Sequence, residues 1–272
     1  MILHMKRTVP HVAGNFHTLV YIRVSLNPEI ALCAKKAFEL LRRLHRRNQQ
    51  NEETEKHESD SDGRRKRDFL HLSLCKPIYL KRQFIRPFKD RLEETLKRIK
   101  PFYLILDKNI AICANEERNN FFAVLPVETQ CNARSISPLI DLVDDIAQIF
   151  GYQKYYEQRK PHVSLAVTGN LTSVMTELYK NEPLDGQLYS SHHWMQVERY
   201  LGKEEELECD TSDIAQETLK QNGNVEFIIN EDMIMPYLNE GSSQDAEPIC
   251  IYVKEIYILV GSQETAIELG ST

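Results

Sequence analysis

Two short segments constrain this chain more than anything else in it. FLHLSLC at residues 69–75 and KPHVSLAV at 160–167 both contain the run apolar, His, apolar, Ser, Leu, with the histidines 91 positions apart. Side chains of a strand alternate between faces, so His71 and Ser73 share one face while Leu70, Leu72 and Leu74 share the other. His162 and Ser164 repeat the arrangement against Val163, Leu165 and Val167. Such a strand anchors in a core through one face and offers an imidazole and a hydroxyl through the other. The expected arrangement is two such faces opposed across one cleft.

The remaining elements are read around these two strands. HTLVYIRVSL (17–26) has the β-branched and aromatic content of a strand. A helix follows, with Asn27 as its cap, Pro28 in its first turn, and Ile30, Ala34, Phe38, Leu41 and Leu44 on one stripe. The stripe gives way to a charged, periodless stretch over 46–67, expected to be a disordered loop. FLHLSLCKPIYL (69–80) reads as one strand, and Phe88, Leu92, Leu96 and Ile99 mark a helix with a mostly basic outer face. YLILDKNIAIC and NFFAVLPV read as two further strands. Ser137 as cap, Pro138, the stripe Leu139, Leu142, Val143, Ile146 and Phe150, and Gly151 past its end define another helix. After PHVSLAV comes a short helix from about Thr172. The final ICIYVKEIYILVGSQETAIEL reads as strands turning near Gly261. Helices alternating with strands and a terminal hairpin give an α+β class with mainly antiparallel sheets in a single domain over 1–272.

Charge matters only once it is divided along the chain. Residues 182–248 hold sixteen Asp and Glu against three Lys and Arg, a local −13, which leaves +7 for the rest of a chain whose formal charge is −6. This acidic segment, punctuated by isolated signals such as VEFIIN, reads as an insertion. The basic remainder is compatible with an anionic substrate, because phosphate affinity follows the charge near a site. The six cysteines show no metal-ligand or disulfide spacing, which suits a reducing intracellular compartment. No run approaches the roughly 20 apolar residues of a membrane span.

The residue types on the two His-Ser faces fit cleavage of RNA by transesterification. One neutral imidazole takes the proton of a ribose 2′-hydroxyl, the other, protonated, supplies the departing 5′-oxygen, and two hydroxyls hold the non-bridging oxygens. No metal or cofactor is required. Chance would supply about half of one H-x-S in such a chain. His57-Glu58-Ser59 is such an instance, lying among charges with no apolar flanks. Only the pairs at 71 and 162 sit in β-patterned segments and share the following Leu.

The doubled motif resembles the 2H phosphoesterase superfamily. Further features resemble its U6 small nuclear RNA phosphodiesterase branch: the opening RTVPHVAGNF (7–16), DFLHLSL followed by FIRPFKDRL, and YYEQRKPHVSLAV with Tyr156 six residues before the histidine. The resemblance implies a bilobal fold, with two pseudo-symmetric lobes of antiparallel sheet plus helices around a central cleft. It implies a monomeric, metal-independent enzyme without cofactor, in the nucleus or with a mitochondrial fraction, that removes uridines or adenosines 3′ to 5′ from the single-stranded 3′ end of U6 small nuclear RNA. The product end is a 2′,3′-cyclic phosphate or a 3′-phosphate. His71 and His162 would be the acid–base pair, with His162 favoured as base, and Ser73 and Ser164 the phosphate binders. Tyr156 would stack on the terminal base. Arg64, Arg65, Lys66 and Arg67 suit either a nuclear import signal or the rim of a cleft. A cyclic nucleotide phosphodiesterase of the same superfamily, or a non-catalytic RNA-binding protein of the same fold, shares the His-Ser pairs.

Overall fold

Strand β1 (Asn15–Val24) turns Val20, Ile22 and Val24 into the core and puts Tyr21 and Arg23 on its other face. The computed structural model describes residues 14–51, 69–115, 119–155, 159–169, 171, 174–175, 225–228, 234 and 248–270. Helix α1 (Pro28–Asn51) starts where the sequence places it, with the Ile30 N–H donating to Asn27 Oδ1 at 2.8 Å. Its stripe of Ile30, Ala34, Phe38, Leu41 and Leu44 is buried. The helix then runs past that stripe, so the near edge of the charged loop expected from residue 46 moves to beyond Asn51. Arg and Gln propagate a helix well without apolar partners. Asn48 is buried there and accepts the Val174 N–H at 3.4 Å. The rest of that loop lies outside the described residues.

The expected strand over 69–80 is two strands, β2 (Leu70–Ser73) and β3 (Ile78–Lys81), both paired with β1. Between them Leu74 to Pro77 stand opposite only Leu19 and Val20, so the backbone bulges. Pro77 has no N–H for a ladder, and Cys75 Sγ takes the Val20 N–H at 3.2 Å instead. Helix α2 (Arg82–Leu96) buries Phe88, Leu92 and Leu96. YLILDKNIAIC also divides, into β4 (Phe102–Leu106) and β5 (Ala111–Ala114), because Asp107 Oδ1 accepts the Asn109 N–H at 2.9 Å and closes a turn. These two strands go to different sheets.

After β6 (Asn120–Pro126) the chain enters helix earlier than Ser137. The carboxylate of Glu128 accepts the N–H groups of Gln130 and Cys131 at 3.0 and 2.8 Å and caps a one-turn helix, α3 (Thr129–Cys131). A π-helical turn, Asn132–Ile136, joins it to α4 (Ser137–Ile149). Ser137 is therefore already helical, and its hydroxyl donates to Asn132 Oδ1 at 2.9 Å rather than capping. Gly151 ends the helix at φ +80°, as its position after Phe150 leads one to expect.

Strands β7 (His162–Gly169), β8 (Val225–Phe227), β9 (Ile249–Val253), β10 (Glu255–Val260) and β11 (Gln263–Glu268) complete the described elements. Nine strands form one sheet in the order β11-β10-β1-β2-β7-β6-β5, with β3 beside β1 and β8 beside β7; β4 and β9 form a separate pair. Every registered pair among the described residues is antiparallel. The β10–β11 hairpin turns at Gly261, at φ +61°, a left-handed conformation that Gly adopts without strain. Helix α1 packs on β6, β7 and β8, and α2 on β3, β10 and β11. Phe88 of α2 meets Phe150 at the end of α4 at 5.5 Å. VEFIIN contributes a strand to the sheet, while most of the acidic segment and of the helix expected from Thr172 lies outside the described residues.

Candidate active site

Strands β2 and β7 are direct neighbours, registered through Leu72 opposite Val163. An antiparallel register advances on one strand as it recedes on the other, so His71 falls opposite Ser164 and Ser73 opposite His162. Leu70, Leu72, Val163 and Leu165 occupy the core at 0% exposure, which places all four polar residues together on the sheet's other face. The histidines are diagonal neighbours, roughly 7–8 Å apart by strand geometry and somewhat less between Cβ atoms. The serines occupy the opposite diagonal, and the local two-fold axis of the strand pair exchanges the two motifs. The His-Ser faces are thus side by side on one sheet, which corrects the expectation that they oppose each other. A direct strand pairing joins the segments, so they form a floor and not two walls.

The flank on the β1 side is aromatic and charged. β1 sets Tyr21 beside Ser73 and Arg23 beside His71. The buried Tyr21 ring lies edge-on to His71 at 5.5 Å and near-parallel to Phe69 at 6.0 Å and Tyr257 at 5.9 Å. Its hydroxyl donates to Glu264, which also pairs with Arg23. The Arg23 guanidinium lies over Phe69 at 4.0 Å and Tyr257 at 4.5 Å, an arrangement that immobilises it. Burial holds the Glu264 carboxyl above its usual range.

The opposite flank is apolar. β6 sets Pro126 beside His162 and Val124 beside Ser164, and Val124 closes a small buried cluster with Ala111 and Cys113 of β5. His162 Nδ1 lies 2.8 Å from the Lys160 carbonyl. A carbonyl only accepts, so Nδ1 carries the proton and the neutral ring keeps its lone pair on Nε2. Cys113 Sγ is 3.8 Å from that Nε2. Burial pushes the His162 imidazole below its ordinary value, opposed by the bond to Lys160, and burial pushes the Cys113 thiol up to about 12.

The entry to β7 is fixed from α4. The buried Asp144 accepts the Tyr155 N–H at 2.7 Å and Arg159 Nη2 at 3.2 Å, so one carboxylate holds both residues. Arg159 also pairs with Asp141 at 2.6 Å and donates to the Ser137 carbonyl at 3.2 Å. Tyr156 lies outside the described residues. Among the described residues no three His, Cys, Asp or Glu gather as metal ligands do.

A family model described as "HVSL: Uncharacterised conserved protein" matches residues 4–223. This chain belongs to the HVSL family. The four letters are read here at residues 162–165, the first half of β7. Curated relatives named U6 snRNA phosphodiesterase 1 include those of Dictyostelium discoideum (24% identical over 66% of this chain and 61% of the relative) and Danio rerio (29% identical over 36% and 34%). That of Rattus norvegicus is 24% identical over 59% of this chain and 53% of the relative. The chain thus spans between about a third and under two thirds of the length of these relatives. The doubled motif and the opening segment resemble the branch whose name these relatives carry. The solved structure of Kluyveromyces marxianus Usb1 is similar at 12% identity and a TM-score of 0.48, over 95% of this chain and 100% of that one.

In this HVSL protein both His-Ser pairs lie on strands, as their spacing leads one to expect. The sequence missed what surrounds them. Tyr21 and Arg23 are visible in YIRV only as an outward-facing pair. Glu264 reaches Tyr21 from 243 positions away, and Cys113 reaches His162 from 49, distances over which a single sequence carries no signal.

Proposed function

We propose that this HVSL protein is a 3′–5′ exoribonuclease that trims the 3′ oligo(U) tail of U6 small nuclear RNA, without a metal. The observation that carries the reading is the diagonal placement of His71 and His162 on one sheet face, with Ser73 and Ser164 on the other diagonal. A phosphate seated at the crossing of the diagonals lies between two imidazoles and within reach of two hydroxyls. His162 Nε2, kept unprotonated by the Nδ1–H bond to Lys160, takes the proton of the 2′-hydroxyl. The 2′-oxygen bonds to phosphorus, the bond to the 5′-oxygen breaks, and His71 gives that oxygen its proton. Ser73 and Ser164 donate to the non-bridging oxygens, whose negative charge grows along the path. A 2′,3′-cyclic phosphate, or a 3′-phosphate once water opens it, is left on the shortened RNA. Tyr156 is the stacking residue in this reading.

The local two-fold of β2 and β7 supports a bilobal 2H organisation, one lobe built around each motif. Both motifs come from one chain, which suits a monomer, and the names of the relatives suit a nuclear role. The decisive experiment incubates the protein in EDTA with a 3′-uridylated oligonucleotide and weighs the products by mass spectrometry. Stepwise shortening with a phosphate-bearing end is expected. His71→Ala and His162→Ala should each lower the rate by about 10²- to 10⁴-fold. Opening of a nucleoside 2′,3′-cyclic phosphate without shortening would assign the protein to the cyclic phosphodiesterases instead.

A further inference from the structure

We propose that Cys113 is a positioning residue for His162: its thiol meets Nε2 while the Lys160 carbonyl holds Nδ1, so the ring is gripped at both nitrogens. The inference rests on the reading of His162 as a proton-transfer group. A neutral imidazole offers one N–H and one lone pair, and the two contacts match that division. The carbonyl, 2.8 Å from Nδ1, can only accept, and a thiol hydrogen, weakly acidic, is suited to a lone pair. With Cys113 Sγ 3.8 Å from Nε2, the contact is soft, and a ribose hydroxyl making a stronger hydrogen bond displaces it. The thiol therefore holds the ring in one orientation until substrate arrives.

The surroundings explain why a cysteine serves here. Cys113 is buried with Ala111 and Val124, so no better acceptor is supplied on that wall for an Nε2–H. On the Cys113 side a protonated Nε2 would face sulfur and hydrocarbon, which disfavours the charge. Among the described residues, the elements beside the ring bring these groups. His71 stands on β2, Pro126 and Val124 on β6 bear no charge, Cys113 stands on β5, and Lys160 lies on the approach to β7. The Cys113 thiol stays protonated near neutral pH, being pushed up to about 12, so it does not add a negative charge beside the ring.

The test reads His162 directly. In the full chain its ring-proton NMR signal, assigned through His162→Gln, is titrated in the native protein, in Cys113→Ser and in Cys113→Ala. Serine supplies a hydroxyl oxygen that accepts from the protonated ring, and alanine admits water to do the same. Both variants should raise the titration midpoint by about half to one pH unit. The acid limb of kcat for oligonucleotide cleavage should move with it, while a merely structural Cys113 would change the unfolding midpoint alone. Unmoved titration in both variants, each shown to be folded by circular dichroism, would overturn the proposal. If the native protein cleaves no oligonucleotide, the functional reading falls, and the NMR midpoint still decides what Cys113 does.

Discussion

At the scale of single residues, the site is a matter of which imidazole is charged. Burial holds His162 neutral in a range where an exposed histidine begins to take a proton. Two consequences follow. If one ring must be neutral and the other charged, the rate of RNA cleavage should be bell-shaped in pH, with its acid limb below about pH 6.5. Rates measured between pH 5 and 8 check this, and a flat profile would count heavily against paired proton transfer. The same shift bears on folding. In the window below about pH 6.5 the unfolded chain binds a proton at His162 that the folded chain does not, so stability rises with pH there. The contribution is complete above that value and is lost as pH falls through the folded midpoint. Urea unfolding should therefore show a lower midpoint at about pH 5.5 than at 7.5, and His162→Gln should narrow that difference.

At the scale of elements, the approach from α4 to β7 is anchored at Tyr155 and Arg159 by one buried carboxylate. Asp144 is 1% exposed, and burial holds it above the usual carboxylate range in spite of the Tyr155 N–H and Arg159. The Arg159 charge is supported chiefly by Asp141. Asp144→Ala leaves the Tyr155 N–H without its acceptor and frees one side of Arg159, which should lower stability by about 1–3 kcal/mol. Asp144→Asn keeps an acceptor oxygen and should lose less, a ranking that urea denaturation decides. None of this clamp was legible in the sequence, where Asp144 is one of three aspartates on a helix whose apolar stripe alone carries a period. The stripe itself was legible, as were the α1 stripe with its Asn27 cap, the Gly261 hairpin and both His-Ser strands, because each is written in spacings of two to four residues. What failed depends on partners far along the chain. The bulge at Leu74 to Pro77 exists because β1 lies alongside, β4 and β5 part because β9 claims the first, and Glu128 displaces Ser137 as cap only because a π-helical turn joins the helices. Register is likewise non-local, which is why the His-Ser faces are neighbours where the sequence suggested opposition.

At the scale of the whole molecule, the sheet is two groups of strands joined at one seam. β11, β10, β1, β3 and β2 pair among themselves, β5, β6, β7 and β8 do the same, and β2 meets β7 through the single registered pair Leu72 and Val163. The site straddles this seam, with one histidine from each group, so the geometry of the proposed chemistry depends on how the groups sit together. Leu72 is fully buried beneath it, and Leu80 of β3 is buried to the same degree but away from it. Truncating either to alanine should lower stability by about 2–5 kcal/mol. Their effects on catalysis should differ. Leu72→Ala loosens the packing that sets His71 and Ser73 against His162 and Ser164, so under conditions where both variants are folded it should lower kcat well below that of Leu80→Ala. Since misplacing reacting groups by about 1 Å can lower a rate about 10²-fold, the gap between the variants should be easily measured in single-turnover cleavage. Equal kcat values at matched stability would mean that the seam does not hold the reacting groups in place.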